Sequence, residues 1–308
     1  MKSVDYELVI IGGGPAGLTA GLYAARGGLN VILIEKIVPG GQIIITDWIE
    51  NYPGFPEGLS GPDLVQKMTE QVKRFNLPIE NNEVVSVDFS EPVKKITLND
   101  RTITTHAIII ATGASPKKLG VPGEETFYGK GISSCATCDG PFFKGGIVAA
   151  VGGGDTAVQE AIFLTKFVSK VYLVHRRDEL RATKILQERA FENDKLEIVW
   201  DSVATGVEGF FGVEGVKIKN LKTNEEKTIK ADGCFIWVGI LPNTSFLNDC
   251  VKTDDAGFIQ TNAKMEASIP GVFAVGDVRD TPLRQVSTAV GDGAIAAVCA
   301  EHFIESLN

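Results

Sequence analysis

Three features of the 308-residue chain predict an α/β fold of two Rossmann-like, three-layer dinucleotide-binding domains, one inserted into the other. A strand, glycine turn, helix and strand open the chain. The same unit returns from residue 147 in the same register. A further strand-then-glycine stretch, "GVFAVGDVRD", and a long helical pattern follow only after that second unit.

Bulk composition narrows the class. The chain is 44% hydrophobic and 22% charged, ordinary for a globular protein long enough for two cores. A net charge of -9 argues against nucleic acid or an anionic membrane surface as the main partner. No apolar run approaches the ~20 residues needed to span a bilayer. The opening "MKSVDYELVIIGGG" reads as a buried strand, not a signal peptide. Of five cysteines, Cys234, Cys250 and Cys299 stand alone and are expected to be free buried thiols in a reducing cytoplasm. Three histidines and a single C-x-x-C offer no second ligand pair, so no metal site is expected.

The first unit is "YELVIIGGGPAGLTAGLYAARGGLNVILIEK". Leu8 to Ile11 is a continuous apolar run, as a buried parallel strand requires. Gly12-x-Gly14-x-x-Gly17 follows, with Pro15 in the first helical turn and Leu18, Leu22 and Ala25 at helical spacing. A second apolar run, Val31 to Ile34, ends at Glu35. The glycines let backbone approach a pyrophosphate at a helix N-terminus, and the carboxylate suits a ribose hydroxyl.

The second unit is "GGIVAAVGGGDTAVQEAIFLTKFVSKVYLVHRRDELR". Strand Ile147 to Val151 precedes Gly152-x-Gly154-x-x-Ala157, and Ala161, Leu164 and Thr165 are inward candidates on the helix. The next strand ends at His175. Gly12 to Glu35 and Gly152 to His175 are both 23 positions (35 − 12 and 175 − 152), so His175 replaces the acid of the first unit. His175, Arg176 and Arg177, with Arg181 one turn on, suit a 2′-phosphate through charge-assisted bonds. The first unit is therefore expected to hold FAD and the second NADPH.

Between the units, Ser60 to Phe75 reads as a helix with Pro62 in its first turn. Val84 to Thr105 reads as strands with turns at "SEP" and "ND". "AIIIATGASPKKLGVPG" gives a buried strand, a glycine turn and a proline-rich exit. Past the second unit, Val203 to Ala231 contains short strands, and "CFIWVGILPNTSF" is another apolar strand. The expected domains are residues 1–115 with 246–308, and the inserted 116–245.

"SSCATCDGPFF" carries Cys135 and Cys138, and C-x-x-C alone serves a metal clip, a structural staple or a redox pair. Asp139, in "CDGP", reads equally as a turn former or as an acid/base. The ordered set "GGGPAG", "ATGA", "CATCDG", "GGGDTA", "HRRDELR", "LPNT", "VFAVGDV" and "LRQVSTAVGDGAIAA" resembles the low-molecular-weight, bacterial and archaeal thioredoxin reductases over nearly the whole chain. Its most specific element is the C-A-T-C-D between the two glycine fingerprints.

The resemblance implies an NADPH-dependent flavoprotein oxidoreductase and residue roles to match. Gly12, Gly14 and Gly17 with Glu35 would hold the adenosine side of FAD, and Pro15, Ala16 and Lys36 are also expected to bind cofactor. Gly40, Gly41, Gln42, Asn51, Val85, Ala111, Thr112 and Gly113 would line its remainder. Gly276 and Asp277 would meet the ribityl-phosphate region, and Arg284, Gln285 and Val286 the flavin ring. Gly152, Gly154, Asp155, Thr156, Ala157, His175, Arg176, Arg177, Arg181 and Ile240 would bind NADPH. Cys135 and Cys138 would form a redox disulfide, with Cys138 facing the flavin, Cys135 attacking thioredoxin, and Asp139 moving the proton. The resemblance further implies domain rotation between steps, a homodimer and a cytoplasmic enzyme. The alternatives are a flavin reductase serving another dithiol protein, glutaredoxin-like or peroxidase-coupled, or one drawing on a different electron donor.

Overall fold

The computed structural model describes residues 3–46, 49 and 51–307. The chain divides into two compact units, Met1–Ser115 with Leu241–Asn308, and Pro116–Ile240.

In the first unit, β1 (Tyr6–Ile11), α1 (Pro15–Arg26) and β2 (Val31–Glu35) follow one another directly. α2 (Gly61–Lys73) starts where the Ser60 hydroxyl accepts a hydrogen bond from the Asp63 amide at 3.1 Å, with Pro62 in its first turn. β3 (Ile79–Asn81) joins the sheet edge, then β4 (Val84–Asp88), β5 (Lys94–Leu98) and β6 (Thr102–Ile110) form a meander. Among the described residues this sheet has seven strands, ordered β3-β2-β1-β6-β5-β4, with the last strand of the chain also beside β6. β1 pairs in parallel with β2 on one side and β6 on the other, so the turn after β1 opens at the point where strand order reverses.

Successive residues of β1 face opposite sides, and each side has its own core. Leu8 and Ile10 pack with Leu18 of α1 and Ala296 and Ala300 of the final helix. Val9 and Ile11 pack with Ile96, Ile108, Leu247 and Ile259. Full burial on both faces is why Leu8–Ile11 is apolar at every position instead of alternating.

β7 (Ala114–Pro116) carries the chain into the second unit. There α3 (Glu124–Phe127), β8 (Ile132–Ser133), α4 (Ala136–Asp139), β9 (Ile147–Gly152), α5 (Asp155–Leu164), β10 (Lys170–Val174), α6 (Lys184–Phe191) and β11 (Leu196–Val199) follow in order. The antiparallel strands β12 (Ser202–Gly209), β13 (Val213–Asn220) and β14 (Glu226–Lys230) precede β15 (Gly233–Trp237). The main sheet is parallel, ordered β11-β10-β9-β15-β8. Val148, Ala150 and Phe235 pack on α5, while Ala149, Val151 and Cys234 pack under β12 and β13. Helices on one face and a small sheet on the other make three layers.

β16 (Ile240–Pro242) returns the chain and pairs with β7, so the two crossings run side by side. β17 (Val272–Ala274) then joins β6 in parallel, and α7 (Val286–Glu305) closes the chain. None of the described helices is long and apolar enough to cross a membrane.

Candidate functional site

The glycine turn after β1 is shaped by two close approaches and one open position. Gly12 has φ +106°, and a Cβ there would lie 2.4 Å from the Ala111 carbonyl oxygen. A Cβ on Gly17 would lie 1.9 Å from the Gly12 oxygen. Gly14 differs, because its Cβ would meet nothing nearer than 3.9 Å. The open space at the α1 N-terminus is therefore at Gly14, where free amides and a missing side chain suit a pyrophosphate. Glu35 closes this turn from β2. Its Oε2 accepts the Gly13 amide at 2.7 Å and its Oε1 the Ile37 amide at 3.0 Å. Gly40 donates its amide to the Gly13 oxygen at 2.8 Å, which brings the Gly40–Gly41 segment onto the same turn.

The other expected residues of this unit make contacts of their own. Asn51 Nδ2 donates to Gln285 Oε1 at 2.9 Å, joining two of them. Lys36 is exposed and its ammonium pairs with Glu83 at 2.6 Å. Val85 is 51% exposed and sits at a break in register between β4 and β5, where Val84 faces Leu98 and Ser86 faces Thr97. A bulge re-aims its side chain. Gln42 is exposed. Thr112 and Gly113 are held by Asn243, whose backbone oxygen accepts from the Thr112 hydroxyl at 2.7 Å, whose side-chain amide donates to the Thr112 oxygen at 2.8 Å and whose backbone amide donates to the Gly113 oxygen at 3.0 Å. "LPNT" marked this position without revealing the clamp.

At the far end of β17, Gly276 and Asp277 turn toward α7. Burial pushes the Asp277 carboxyl above its usual range, and Asp292 adds to that while Arg284 opposes it. Arg284 lies over the Phe258 ring at 4.3 Å, and its Nε is buried with no hydrogen-bond partner among the described residues. A buried guanidinium nitrogen without an acceptor is costly unless a ligand supplies one. The open Gly14 turn, Glu35 and this orphaned nitrogen fit FAD.

The second turn repeats the first with other contacts. A Cβ on Gly154 would find only an Arg181 guanidinium nitrogen, at 4.0 Å. The segment after β10 folds back over it. Arg181 donates its amide to the Gly153 oxygen at 2.8 Å, and the Asp155 carboxylate accepts the Thr183 amide at 2.6 Å. Thr156 is exposed and Ala157 buried on α5, and Ile240 is half-buried at the return crossing. His175 departs from the expectation that it faces a phosphate. It is 5% exposed, and its ring nitrogens lie 2.7 Å from the Gly152 oxygen and 3.0 Å from the Glu179 oxygen. The strand end turns the imidazole under Gly153, whose Cβ would strike it. The exposed basic groups are Arg176, Arg177 and Arg181. The neighbouring Asp178 is taken by Lys222 at 3.0 Å, leaving the guanidiniums without an ion pair among the described residues. This cluster fits a phosphate-bearing nucleotide.

Cys135 and Cys138 form a disulfide of 2.05 Å in the same unit as this second turn. Cys135 caps α4, and its sulfur accepts the Cys138 amide at 3.2 Å and lies 3.3 Å from the Thr137 hydroxyl. Ser133 Oγ accepts the Cys135 amide at 3.0 Å, and Trp237 donates its indole N–H to the Ser134 oxygen at 2.9 Å. Both cysteines and Asp139 are half-buried, and the Asp139 amide donates to the Cys135 oxygen at 3.1 Å. Two neighbours escaped the sequence reading. Glu160 on α5 has its carboxyl pushed up by burial, with the Ala136 amide donating to it and pulling the other way. Phe142 is 62% exposed just beyond the pair. Only packing reveals the first, and "GPFF" is the only signal for the second.

The remaining cysteines are free. Burial pushes the Cys234 thiol up to about 12, so it is inert. Cys250 and Cys299 are half-buried, which corrects the expectation that all three are buried. They lie at the edges of their cores and not within them.

Residues 6–293 match the pyridine nucleotide-disulphide oxidoreductase family. The chain is 46% identical to a thioredoxin reductase of Peptoclostridium litorale, over 98% of both chains. It is 44% identical to the thioredoxin reductase of Bacillus subtilis, over 98% of this chain and 96% of that one. The crystal structure of thioredoxin reductase from Streptococcus pyogenes superposes with a TM-score of 0.86 at 49% identity, over 98% of both chains. With two glycine turns, a disulfide in the inserted unit and relatives of this likeness along its length, the chain belongs to the thioredoxin reductase group of the pyridine nucleotide-disulphide oxidoreductases.

Proposed function

We propose that this protein is an NADPH-dependent flavoprotein that reduces thioredoxin. The observation that carries the reading is the Cys135–Cys138 disulfide, placed in the unit whose glycine turn is flanked by unpaired arginines. FAD, when bound, supplies the two-electron relay between reduced nicotinamide and this disulfide. The first unit holds it through the Gly14 turn, Glu35, Asp277 and the Arg284–Val286 segment. The second unit holds NADPH, with Arg176, Arg177 and Arg181 on its 2′-phosphate.

The chain's own sulfurs perform the exchange. Once the disulfide is open, Cys135 attacks the thioredoxin disulfide as a thiolate. The Cys138 amide and Thr137 hydroxyl support that charge, since each can donate to the sulfur. One thioredoxin sulfur leaves, a mixed disulfide forms, and Cys138 then resolves it and restores the Cys135–Cys138 bond. Asp139, beside Cys138, moves the proton as a thiolate forms or leaves.

The nucleotide site and the disulfide share one unit, and the FAD cradle lies in the other. Both must reach the same flavin in turn, so the reading includes rotation between units. It also includes a homodimer formed through the first unit, where Tyr23 on α1 and Ile295 and Val298 on α7 expose apolar side chains. A cytoplasmic location suits the three free thiols.

The test is NADPH consumption by the purified FAD-loaded protein, with and without thioredoxin. Turnover that depends on thioredoxin supports the reading. NADPH-dependent flavin reduction with no thioredoxin turnover, but with turnover on a glutaredoxin-like or peroxidase-coupled protein, would reassign the partner.

A further inference from the structure

The pair formed by Arg279 and Asp292 has no part in the exchange chemistry, yet it is the most buried ion pair among the described residues of the first unit. Arg279 Nε donates to Asp292 Oδ2 at 2.7 Å, and a second guanidinium nitrogen donates to Oδ1 at 3.1 Å. The side chains are 15% and 9% exposed. The same Oδ2 also accepts the Gly276 amide at 3.0 Å. Arg279 is fixed on its other side, where Nη1 donates to the Thr261 hydroxyl at 3.2 Å and to the Asp280 oxygen at 3.0 Å.

These bonds fall on the two ends of one short turn. Gly276 begins it at φ +69°, and Arg279 follows it directly. Asp277, assigned above to the FAD cradle, stands between them. The anchor Asp292 is on α7. The next residue, Gly293, meets α1 so closely that a Cβ there would lie 2.3 Å from the Ala16 oxygen. Two consecutive residues of α7 therefore touch both halves of the cradle: the Gly276–Asp277 turn, and the first turn of α1 beyond Gly14.

We propose that Arg279 and Asp292 are positioning residues for FAD. Bonded to both ends of the turn and carried by the helix that rests on α1, they fix the spacing of Asp277 from the glycine turn, and so how firmly the cofactor is retained. The proposal rests on the FAD reading above. Neither side chain needs to touch the cofactor. A bidentate bond between buried ions holds a set geometry better than a single contact would.

The experiment uses the FAD-loaded protein and three variants, Asp292→Ala, Arg279→Met and the double variant Arg279→Met with Asp292→Leu. Flavin release on dilution is followed by recovery of flavin fluorescence. Thermal unfolding is recorded for the loaded and flavin-stripped forms. The double variant removes both charges together, so no uncompensated ion stays in the core and folding is preserved. Release should accelerate about tenfold or more, as expected from losing one charge-assisted bond at the cradle. The stripped form should lose less thermal stability than the loaded form. A role confined to folding would lower both melting points equally and leave release unchanged, and that result in the double variant would overturn the proposal. If the unaltered protein cannot hold FAD, the FAD reading itself fails and this proposal with it.

Discussion

Gly17→Ala should damage the first unit far more than a single methyl ordinarily does. The added Cβ would stand 1.9 Å from the Gly12 carbonyl oxygen and 3.3 Å from the Ala111 Cβ. Carbon and carbonyl oxygen approach to about 3.3 Å, so α1 would have to retreat by roughly 1.4 Å. It has little freedom to do so, because Ala16 is already pressed by Gly293 of α7. Overpacking of this kind costs about 1–3 kcal/mol. For a unit of this size that is a fall of roughly 4–8 °C in melting temperature, taking about 2 kcal/mol. The shift also carries the Gly14 amides away from the pyrophosphate, and a displacement of about 1 Å can cost roughly a hundredfold at a site. The assay is flavin content of the purified protein by visible absorbance, with thermal unfolding beside it. The reciprocal change, Ala157→Gly, provides the control. Gly152 lacks a positive φ, and a Cβ there would stand 2.4 Å from the Ala157 methyl, so the bare glycine leaves that methyl its room. That variant should lose only about 0.5–1 kcal/mol of helix stability. Native flavin content and melting point in Gly17→Ala would refute the packing argument.

Cys135→Ser or Cys138→Ser should abolish thioredoxin reduction while NADPH still bleaches the flavin, and loss of both with FAD bound would contradict the proposed order. Arg176→Ala with Arg177→Ala should raise KM for NADPH roughly a hundredfold, from about 3 kcal/mol of lost charge-assisted contact, with little change for NADH. Equal shifts for the two nucleotides, measured by steady-state kinetics, would make the arginines a solvated face. Lys94 predicts a pH effect on stability. It is 2% exposed, its ammonium donates to the His106 oxygen at 3.1 Å, and burial depresses its pKa below the ordinary 10.5. Between the depressed and ordinary values the unfolded chain binds the extra proton, so stability rises with pH there. Denaturant titrations should show that alkaline gain flattened in Lys94→Met, and matching slopes for the two proteins would count against a depressed Lys94.

Much of this protein is legible along the chain because it is local. Apolar runs at Leu8–Ile11 and Ile147–Val151 end in glycine turns and helical spacing, and those patterns depend only on neighbouring residues. Both units fold as that periodicity implies, with Ser60 capping α2 and Pro62 in its first turn. The C-x-x-C needed more, since its spacing suits three chemistries, and the surrounding motifs supplied the choice. Tertiary structure decided what depends on partners distant in sequence. Glu35 and His175 occupy matching positions, yet the carboxylate stays at the turn while the imidazole is drawn beneath Gly153 by two carbonyls. Gly17 and Ala157 also match, but a Cβ at Gly17 would strike the Gly12 carbonyl oxygen, and Gly12 takes a positive φ that its counterpart Gly152 does not. Asn243 on Thr112, Glu160 at Ala136 and Asp292 on Arg279 join different structural elements. Periodicity records which face of an element is buried. It does not record which residue waits on the other side, and that pairing sets the charge, the space and the hydrogen bonds of the site.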